Sequence, residues 1–256
     1  MTSLIAPSSL AGLGLLTGAL TQRGYAVLSP ELVAHGAGCS LPELQALDAS
    51  WNNLATDTYL KDGGRYRKRR HSCFVVDGTE LTQTPHRAHW QPVEYNALHG
   101  GMQRWFEPMS PEVVKTAAWQ KLLLWLAALT SACAIAAGEG QKPKPWFVEA
   151  HQFRIDTTDG IGRPTPEGAH RDGVDFVAVF MVERAHIKGG ETRVFDANGS
   201  SGERFTLTQP WSLLVLDDAK VIHESTPIQP LDSTQNQGAH RDTLVVTLRA
   251  GGFQEV

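Results

Sequence analysis

His170 and Asp172 stand two residues apart at the centre of Pro-Glu-Gly-Ala-His-Arg-Asp-Gly-Val-Asp, residues 166–175, and this spacing constrains the fold more than any other feature of the chain. On an extended strand, residues two apart share a face, so the imidazole and the carboxylate can converge on one point. A third candidate ligand is His223, in the strand-like run Val-Ile-His-Glu-Ser-Thr-Pro-Ile. A chain that uses all three must bring an early and a late strand side by side. Two neutral imidazoles and one carboxylate occupy one face of a metal ion and leave the other positions open, a donor set suited to Fe(II) that binds a cosubstrate and oxygen. The expectation is a mononuclear iron centre held by His170, Asp172 and His223.

A His-x-Asp triplet is weak by itself, because short motifs recur by chance. The chain contains a second His-Arg-Asp at residues 240–242. No histidine follows that copy, so it cannot open a triad whose third ligand lies downstream. His86 and His89 are three apart, but no carboxylate or cysteine follows them at a ligand spacing, and they are not read as a metal pair.

With 256 residues and 41% hydrophobic content the chain can bury a full core as a single domain. A net charge of -4 and a pI near 6.2 give no electrostatic reason to expect nucleic acid or an acidic membrane as partner. Cys39, Cys73 and Cys133 are odd in number and widely spaced, which suggests neither a disulfide framework nor a zinc site and fits a reducing cytoplasm. No basic residue precedes the first apolar stretch, so an export signal is not expected. The most apolar stretch, Leu122 to Ala137, is interrupted by Thr130 and Ser131 and reads as a buried core helix.

The first 145 residues read as a mostly helical N-terminal elaboration. Leu10, Leu13, Leu16 and Leu20 recur at helical spacing up to Gly24, a short strand follows and stops at Pro30, and Ser40 caps a helical pattern over Pro42–Leu54. Arg65, Arg67 and Arg69 alternate along a strand leading into Cys73-Phe74-Val75-Val76, which reads as a solvated face, with an arginine at an active-site mouth as the alternative. Residues 86–101, rich in His, Trp, Gln, Tyr and Asn, suit a pocket lining. Pro111 opens one long helix that runs to about Ala137. After Lys-Pro-Lys-Pro at 142–145 the texture changes to eight short apolar runs, at about 146–156, 168–172, 175–183, 191–196, 203–207, 212–217, 220–225 and 242–250. Residues 146–256 are therefore expected to form a jelly-roll core of the cupin kind, in a protein that is mainly β with flanking helices.

Together these residues resemble a known family, the iron and 2-oxoglutarate dioxygenases of double-stranded β-helix fold. The blocks His151-Gln152-Phe153-Arg154-Ile155, Pro166 to Gly173, Gly189-Gly190-Glu191-Thr192 and Arg241-Asp242 are similar to a bacterial subfamily that includes free L-isoleucine and L-leucine hydroxylases and a biofilm-stress protein. The resemblance implies that His170, Asp172 and His223 hold Fe(II). It also implies a basic residue near the start of the last strand that holds the far carboxylate of 2-oxoglutarate. Arg241 fits that place, with Thr243 on its face and Arg249 as the rival; a guanidinium fork suits a carboxylate better than a point charge does. The implied reaction consumes O2, converts 2-oxoglutarate to succinate and hydroxylates an unactivated C–H bond of a small substrate, a free aliphatic amino acid. Gln152 and Arg154, two apart on one strand, are the candidate partners for its carboxylate, and Glu167 for its ammonium. Two alternatives stay open: a jelly-roll iron dioxygenase that does not use 2-oxoglutarate, and a metal- or ligand-binding stress protein without turnover.

Overall fold

A computed structural model describes residues 9–138, 145–232 and 238–255. Most of the Lys-Pro-Lys-Pro run lies outside them. Helix α1 (Ser9–Arg23) ends at Gly24, where φ is +75° and a Cβ would lie 2.6 Å from Val221, so both the turn and the close approach call for glycine. β1 (Tyr25–Leu28) follows. Pro30, read as a stop, is instead the first residue of α2 (Pro30–Ala37): its fixed φ suits a first helical turn, and the Ser29 side chain accepts the Leu32 N–H as N-cap. The helical pattern expected over Pro42–Leu54 is divided into α3 (Leu41–Gln45), opened by a Ser40–Glu43 capping box, and a 3₁₀ helix at Asp48–Asn53.

β2 (Arg67–Asp77) and β3 (Glu80–Gln83) form a hairpin, and then come α4 (Pro111–Val114) and α5 (Ala117–Ala136). The single helix expected from Pro111 is broken in two because Thr116 turns its hydroxyl to cap the Trp119 N–H. The remaining strands are β4 (Trp146–Asp156), β5 (Phe176–Ala185), β6 (Ile187–Gly189), β7 (Thr192–Asp196), β8 (Gly202–Phe205), β9 (Leu213–Asp217), β10 (Val221–Ser225), β11 (Ile228–Pro230) and β12 (His240–Ala250). The run at 168–172 forms no strand of its own and pairs only through an isolated bridge at His170.

These strands build a seven-stranded antiparallel sheet, in the order β1-β9-β5-β12-β4-β2-β3, with a three-stranded sheet β10-β7-β8 and a two-stranded ribbon β11-β6. The architecture is the mainly β, double-stranded β-helix jelly roll with flanking helices. The segment before residue 145 is not only a helical elaboration, since it supplies β1, β2 and β3 to the large sheet itself.

One face of the large sheet carries the main core. Phe74, Val148, Ala150, Leu244, Val246 and Leu248 pack there with Trp119, Leu122, Leu123 and Leu126 of α5. Each leucine so buried contributes about 1.5–3 kcal/mol. α5 is long and apolar enough to cross a bilayer by length and composition, and half of it is buried inside the protein. The opposite face of the sheet looks toward β10 across a cavity. Every second residue of β2, β4 and β12 points into it, among them Arg67, Arg69, Glu149, His151, Arg241 and Thr243.

Candidate metal centre

His170 and His223 face each other across an antiparallel bridge in which each backbone N–H donates to the other's carbonyl, at 3.0 and 2.9 Å, which sets the ring centroids 4.7 Å apart. Asp172, two residues on, completes a group whose three donor atoms lie within 4.8 Å of one another. The His170 Nε2 is 3.8 Å and the His223 Nε2 3.6 Å from the Asp172 carboxylate, too long for good hydrogen bonds. Two donors that share one metal at about 2.1 Å each can stand up to about 4.2 Å apart, so this spacing fits a common ion. The His170 Nδ1–H donates to the Gly168 carbonyl at 2.9 Å, which leaves the Nε2 lone pair facing the gap. Burial, then the neighbouring His170, holds His223 neutral with a pKa of about 3. Burial opposes a charge on His170, but Asp172 and Glu167 outweigh it and raise its pKa.

The turn that follows is fixed by Asp218, whose carboxylate accepts the backbone N–H groups of Asp172, Gly173 and Val174 at 3.0, 2.8 and 3.2 Å. Gly173 has a φ of +75°, and a Cβ there would meet the Tyr95 ring at 2.4 Å. Gln91 donates to Asp172 Oδ1 at 3.0 Å, while its own carbonyl accepts from Arg104 at 2.9 Å and Asn96 at 3.2 Å. The polar segment at 86–101 thus contributes to the cavity through His89, Gln91, Asn96 and His99.

Arg241 and Thr243 share the inward face of β12 and line the same cavity. Arg241 is 4% exposed, its Nε has no hydrogen-bond partner, and among the described residues no carboxylate lies within ion-pair distance of it. Burial, then Arg184, lowers its pKa to about 10. A buried guanidinium without a counterion is tolerable where a ligand supplies one. Arg249 also reaches the cavity, but its guanidinium donates to the carbonyls of Gly252 and Phe253 at 2.8 and 3.2 Å. It therefore serves the C-terminal turn.

Two expected substrate contacts are not in the cavity. Gln152 and Arg154 occupy the even positions of β4, and that face turns toward the helices: Gln152 donates to Ser50 at 2.6 Å, and Arg154 forms a two-pronged pair with Asp242 at 2.8 and 2.6 Å. The odd positions, Glu149, His151, Phe153 and Ile155, face inward instead. Glu167 does line the cavity, with Oε1 3.6 Å from His170 Nε2 and a buried Oε2 that has no partner. The arginines at 65–69 divide between the two readings, the solvated face and the arginine at the cavity mouth. Arg65 is exposed on Asp159, but Arg67 and Arg69 are 5% and 3% exposed on the cavity wall. Asp57 bonds Arg67 Nε at 2.7 Å, and Phe106 and Phe153 lie 3.8 and 4.3 Å from the Arg69 guanidinium. Strand alternation placed these arginines on one face correctly but could not say that the face was covered.

A second group gathers His71, His89, His151 and Glu149, all buried, with donor atoms within 4.8 Å. Glu149 Oε2 accepts from His89 Nδ1 at 2.6 Å and His71 Nε2 at 3.0 Å. Arg69 lies 2.6 Å from His151 Nδ1 and can only donate, so the ring proton of His151 is on Nε2, facing Glu149 at 3.8 Å. Burial would raise the pKa of Glu149, but His89 and His71 hold it well below the carboxylate range. Desolvation pushes His71 and His151 down, and His89 to about 3. This is an ionised carboxylate clasped by neutral imidazoles, and its signal in the sequence was scattered over three segments.

Comparison with known proteins agrees with this geometry. No curated protein matches the chain. Over its full length it is similar to the crystal structure of a bsmA homologue from Methylobium petroleophilum PM1, at 50% identity, with 99% of that chain covered and a TM-score of 0.89. The fold is also that of IDO from Bacillus thuringiensis, at 18% identity over 98% of this chain and 100% of that one with a TM-score of 0.72. An Fe(II)/α-ketoglutarate-dependent dioxygenase, TqaL, matches at 20% identity over 94% of this chain and 87% of that one, with a TM-score of 0.67. A family model described as 2OG-Fe dioxygenase matches residues 48–247, and with the 50% identical relative this settles the point: the chain belongs to the 2OG-Fe dioxygenase family.

Proposed function

We propose that this protein hydroxylates an unactivated C–H bond of a small substrate, a free aliphatic amino acid, using Fe(II), 2-oxoglutarate and O2. In this reading His170, Asp172 and His223 hold the iron, and Arg241 with Thr243 holds the far carboxylate of 2-oxoglutarate. The observation that carries it is the pairing in one cavity of a convergent two-histidine, one-carboxylate group with a buried guanidinium lacking a protein counterion. When bound, iron and 2-oxoglutarate supply the oxidising chemistry. The chain's residues orient the parts and exclude water. Gly168 fixes the tautomer of His170, Gln91 and the Asp218-bound turn fix Asp172, and Phe147, Phe153, Val179 and Val245 give the cavity an apolar wall for an aliphatic body. The amino-acid assignment draws on the sequence resemblance to isoleucine and leucine hydroxylases and on the unpartnered Glu167 oxygen.

The test is incubation with Fe(II), 2-oxoglutarate and a panel of free amino acids, reading succinate formed and mass gained by each. Stimulated succinate release with a gain of one oxygen atom is expected. A panel in which only peptides or proteins respond removes the amino-acid assignment. Arg241→Ala should weaken 2-oxoglutarate binding far more than iron binding. Loss of a desolvated charged fork costs about 2–5 kcal/mol, on the order of 30-fold to several thousand-fold. The same loss on Arg249→Ala instead would move the cosubstrate to the other end of β12.

A further inference from the structure

On the side of the cavity remote from β12, two buried cations lack adequate counter-charge. Arg67, Ile155 and Arg241 form one row across β2, β4 and β12, so at a strand spacing of about 4.8 Å the Cα atoms of the two arginines lie about 10 Å apart. Both point into the cavity. Arg67 gives its Nε to Asp57, and its Nη2 is buried without a partner. Arg104, 2% exposed, reaches the same region from the segment after Gly101. Its Nη2 donates to the neutral Gln91 side chain, its Nε is buried without a partner, and no acid lies within ion-pair distance among the described residues. Burial and then the nearby Arg67 lower the pKa of Arg104 to about 10, and burial with Arg67 lowers that of His99, on the same cavity wall, to about 4. Asp57 is already shared between Arg67 and Arg69, at 2.7 and 3.7 Å. At ion-pair distance one carboxylate thus serves two guanidiniums and Arg104 has none, with Glu167 and Glu149 acting on it only from farther away, an arrangement that is costly unless a bound anion completes it.

We propose that Arg67 and Arg104 form the receptor for the substrate's carboxylate, with the partnerless Glu167 oxygen facing its ammonium. The receptor replaces the contacts that sequence assigned to Gln152 and Arg154, and it rests on the reading of the cavity as a dioxygenase site. Its position opposite Arg241 gives the cavity two anion receptors flanking the metal group. The cosubstrate dianion takes the β12 side and the substrate carboxylate the β2 side. Arg104 is joined to the metal group through Gln91, which also bonds Asp172, so a seated carboxylate is registered against the iron ligands by a single side chain.

The test compares L-leucine, L-isoleucine and L-methionine with their C-terminal amides and their N-acetyl derivatives, using anaerobic protein loaded with Fe(II) and 2-oxoglutarate and reading binding by calorimetric titration. The free acids should bind, and the amides should bind on the order of 30-fold or more weakly, the loss expected when a buried charged partner is removed. Arg67→Gln and Arg104→Gln should bring the free acid down to the affinity of its amide, so that the acid-to-amide ratio collapses. Arg104→Lys should recover part of that ratio, and exposed Arg65→Gln should leave it unchanged. A misfolded variant would lose both ligands and is identified by its melting curve; Arg104→Lys then carries the test. Equal binding of acids and amides, no binding of any free acid, or an intact ratio in Arg67→Gln and Arg104→Gln overturns the receptor. Failure of the dioxygenase reading is separately visible as absence of succinate from wild type that binds the free acids.

Discussion

Among the described residues two clusters gather imidazoles around one carboxylate within 4.8 Å, and they arrange the same atoms in opposite ways. In the His170, Asp172, His223 group the two ring nitrogens stand 3.8 and 3.6 Å from the carboxylate, no side chain of the three hydrogen-bonds another, and the His170 proton is parked on the Gly168 carbonyl. The His170 Nε2 lone pair therefore faces the Asp172 carboxylate and His223. In the His71, His89, His151, Glu149 group the carboxylate takes N–H bonds of 2.6 and 3.0 Å, and Arg69 forces the His151 proton inward. There the protons face the centre and the space is used up. Proximity and residue type are shared; what differs is where the ring protons point, set at His170 by a carbonyl that only accepts and at His151 by a guanidinium that only donates.

The largest expected effect lies in metal content. His170→Ala, Asp172→Ala and His223→Ala should each abolish iron binding and turnover, whereas His71→Ala should keep one iron per folded chain by metal analysis. Two irons per wild-type chain, or loss of iron on His71→Ala, would break the comparison. Glu149→Gln sharpens it from the other side. It removes the buried charge that His71 and His89 clasp and that favours Arg69 and Arg104 from beyond ion-pair distance, so urea unfolding should show a loss of about 3–5 kcal/mol with iron stoichiometry kept. A Glu149→Gln protein as stable as wild type would mean that the carboxylate is protonated and the clasp has been misread.

A smaller effect follows from pH. His89 and His151 stay neutral in the folded protein well below the ordinary histidine value, and burial lowers the pKa of His71 as well, while the unfolded chain takes up their protons below about pH 6.5. Their stabilisation is therefore complete above that value and is lost as pH falls, by about 1.4 kcal/mol per pH unit for each of His89 and His151. Urea midpoints of the metal-free protein should drop between pH 7.5 and 5.5. A flat or rising midpoint would place charged imidazoles around Glu149.

How far the sequence could be read depended on whether a strand has one covered face or two. His170 and Asp172 were legible as a pair from their spacing of two although 168–172 forms no strand: the single bridge from His170 to His223 and the Asp218-bound turn bring the three side chains together instead. On β4 that rule was not enough. The strand has the helical core on one face and the cavity on the other, so both faces are buried and the polar residues Glu149, His151, Gln152 and Arg154 fall on each of them. Nothing local says which parity is inward, and the choice of Gln152 and Arg154 took the wrong one. Arg67 and Arg69 fit the alternative of an arginine at the site rather than the solvated face for the same reason: their burial depends on Asp57, Phe106 and Phe153, which only the tertiary fold brings to them. The three-residue strands β6 and β11 carry too little alternation to register at all.

The smallest effect is expected at the second His-Arg-Asp, which strand parity also explains. Arg241 faces the cavity, so His240 and Asp242 must point away from it, and they do: His240 Nε2 meets Glu183 at 3.1 Å, and both Asp242 oxygens are taken by Arg154. The Glu183, His240, Asp242 group has donor atoms as close together as the His170, Asp172, His223 group, but one of its members is exposed and the buried carboxylate has its lone pairs committed to a guanidinium. His240→Ala removes a contact whose acidic partner is 54% exposed, so the stability change should stay within about 0.5 kcal/mol. Iron content should not move, and 2-oxoglutarate affinity should change by less than about threefold, since 0.5 kcal/mol corresponds to roughly a factor of two. Calorimetry and metal analysis on this one variant decide the matter: iron lost with His240 would assign the metal to the outer face of β12, and the parity argument for Arg241 would go with it.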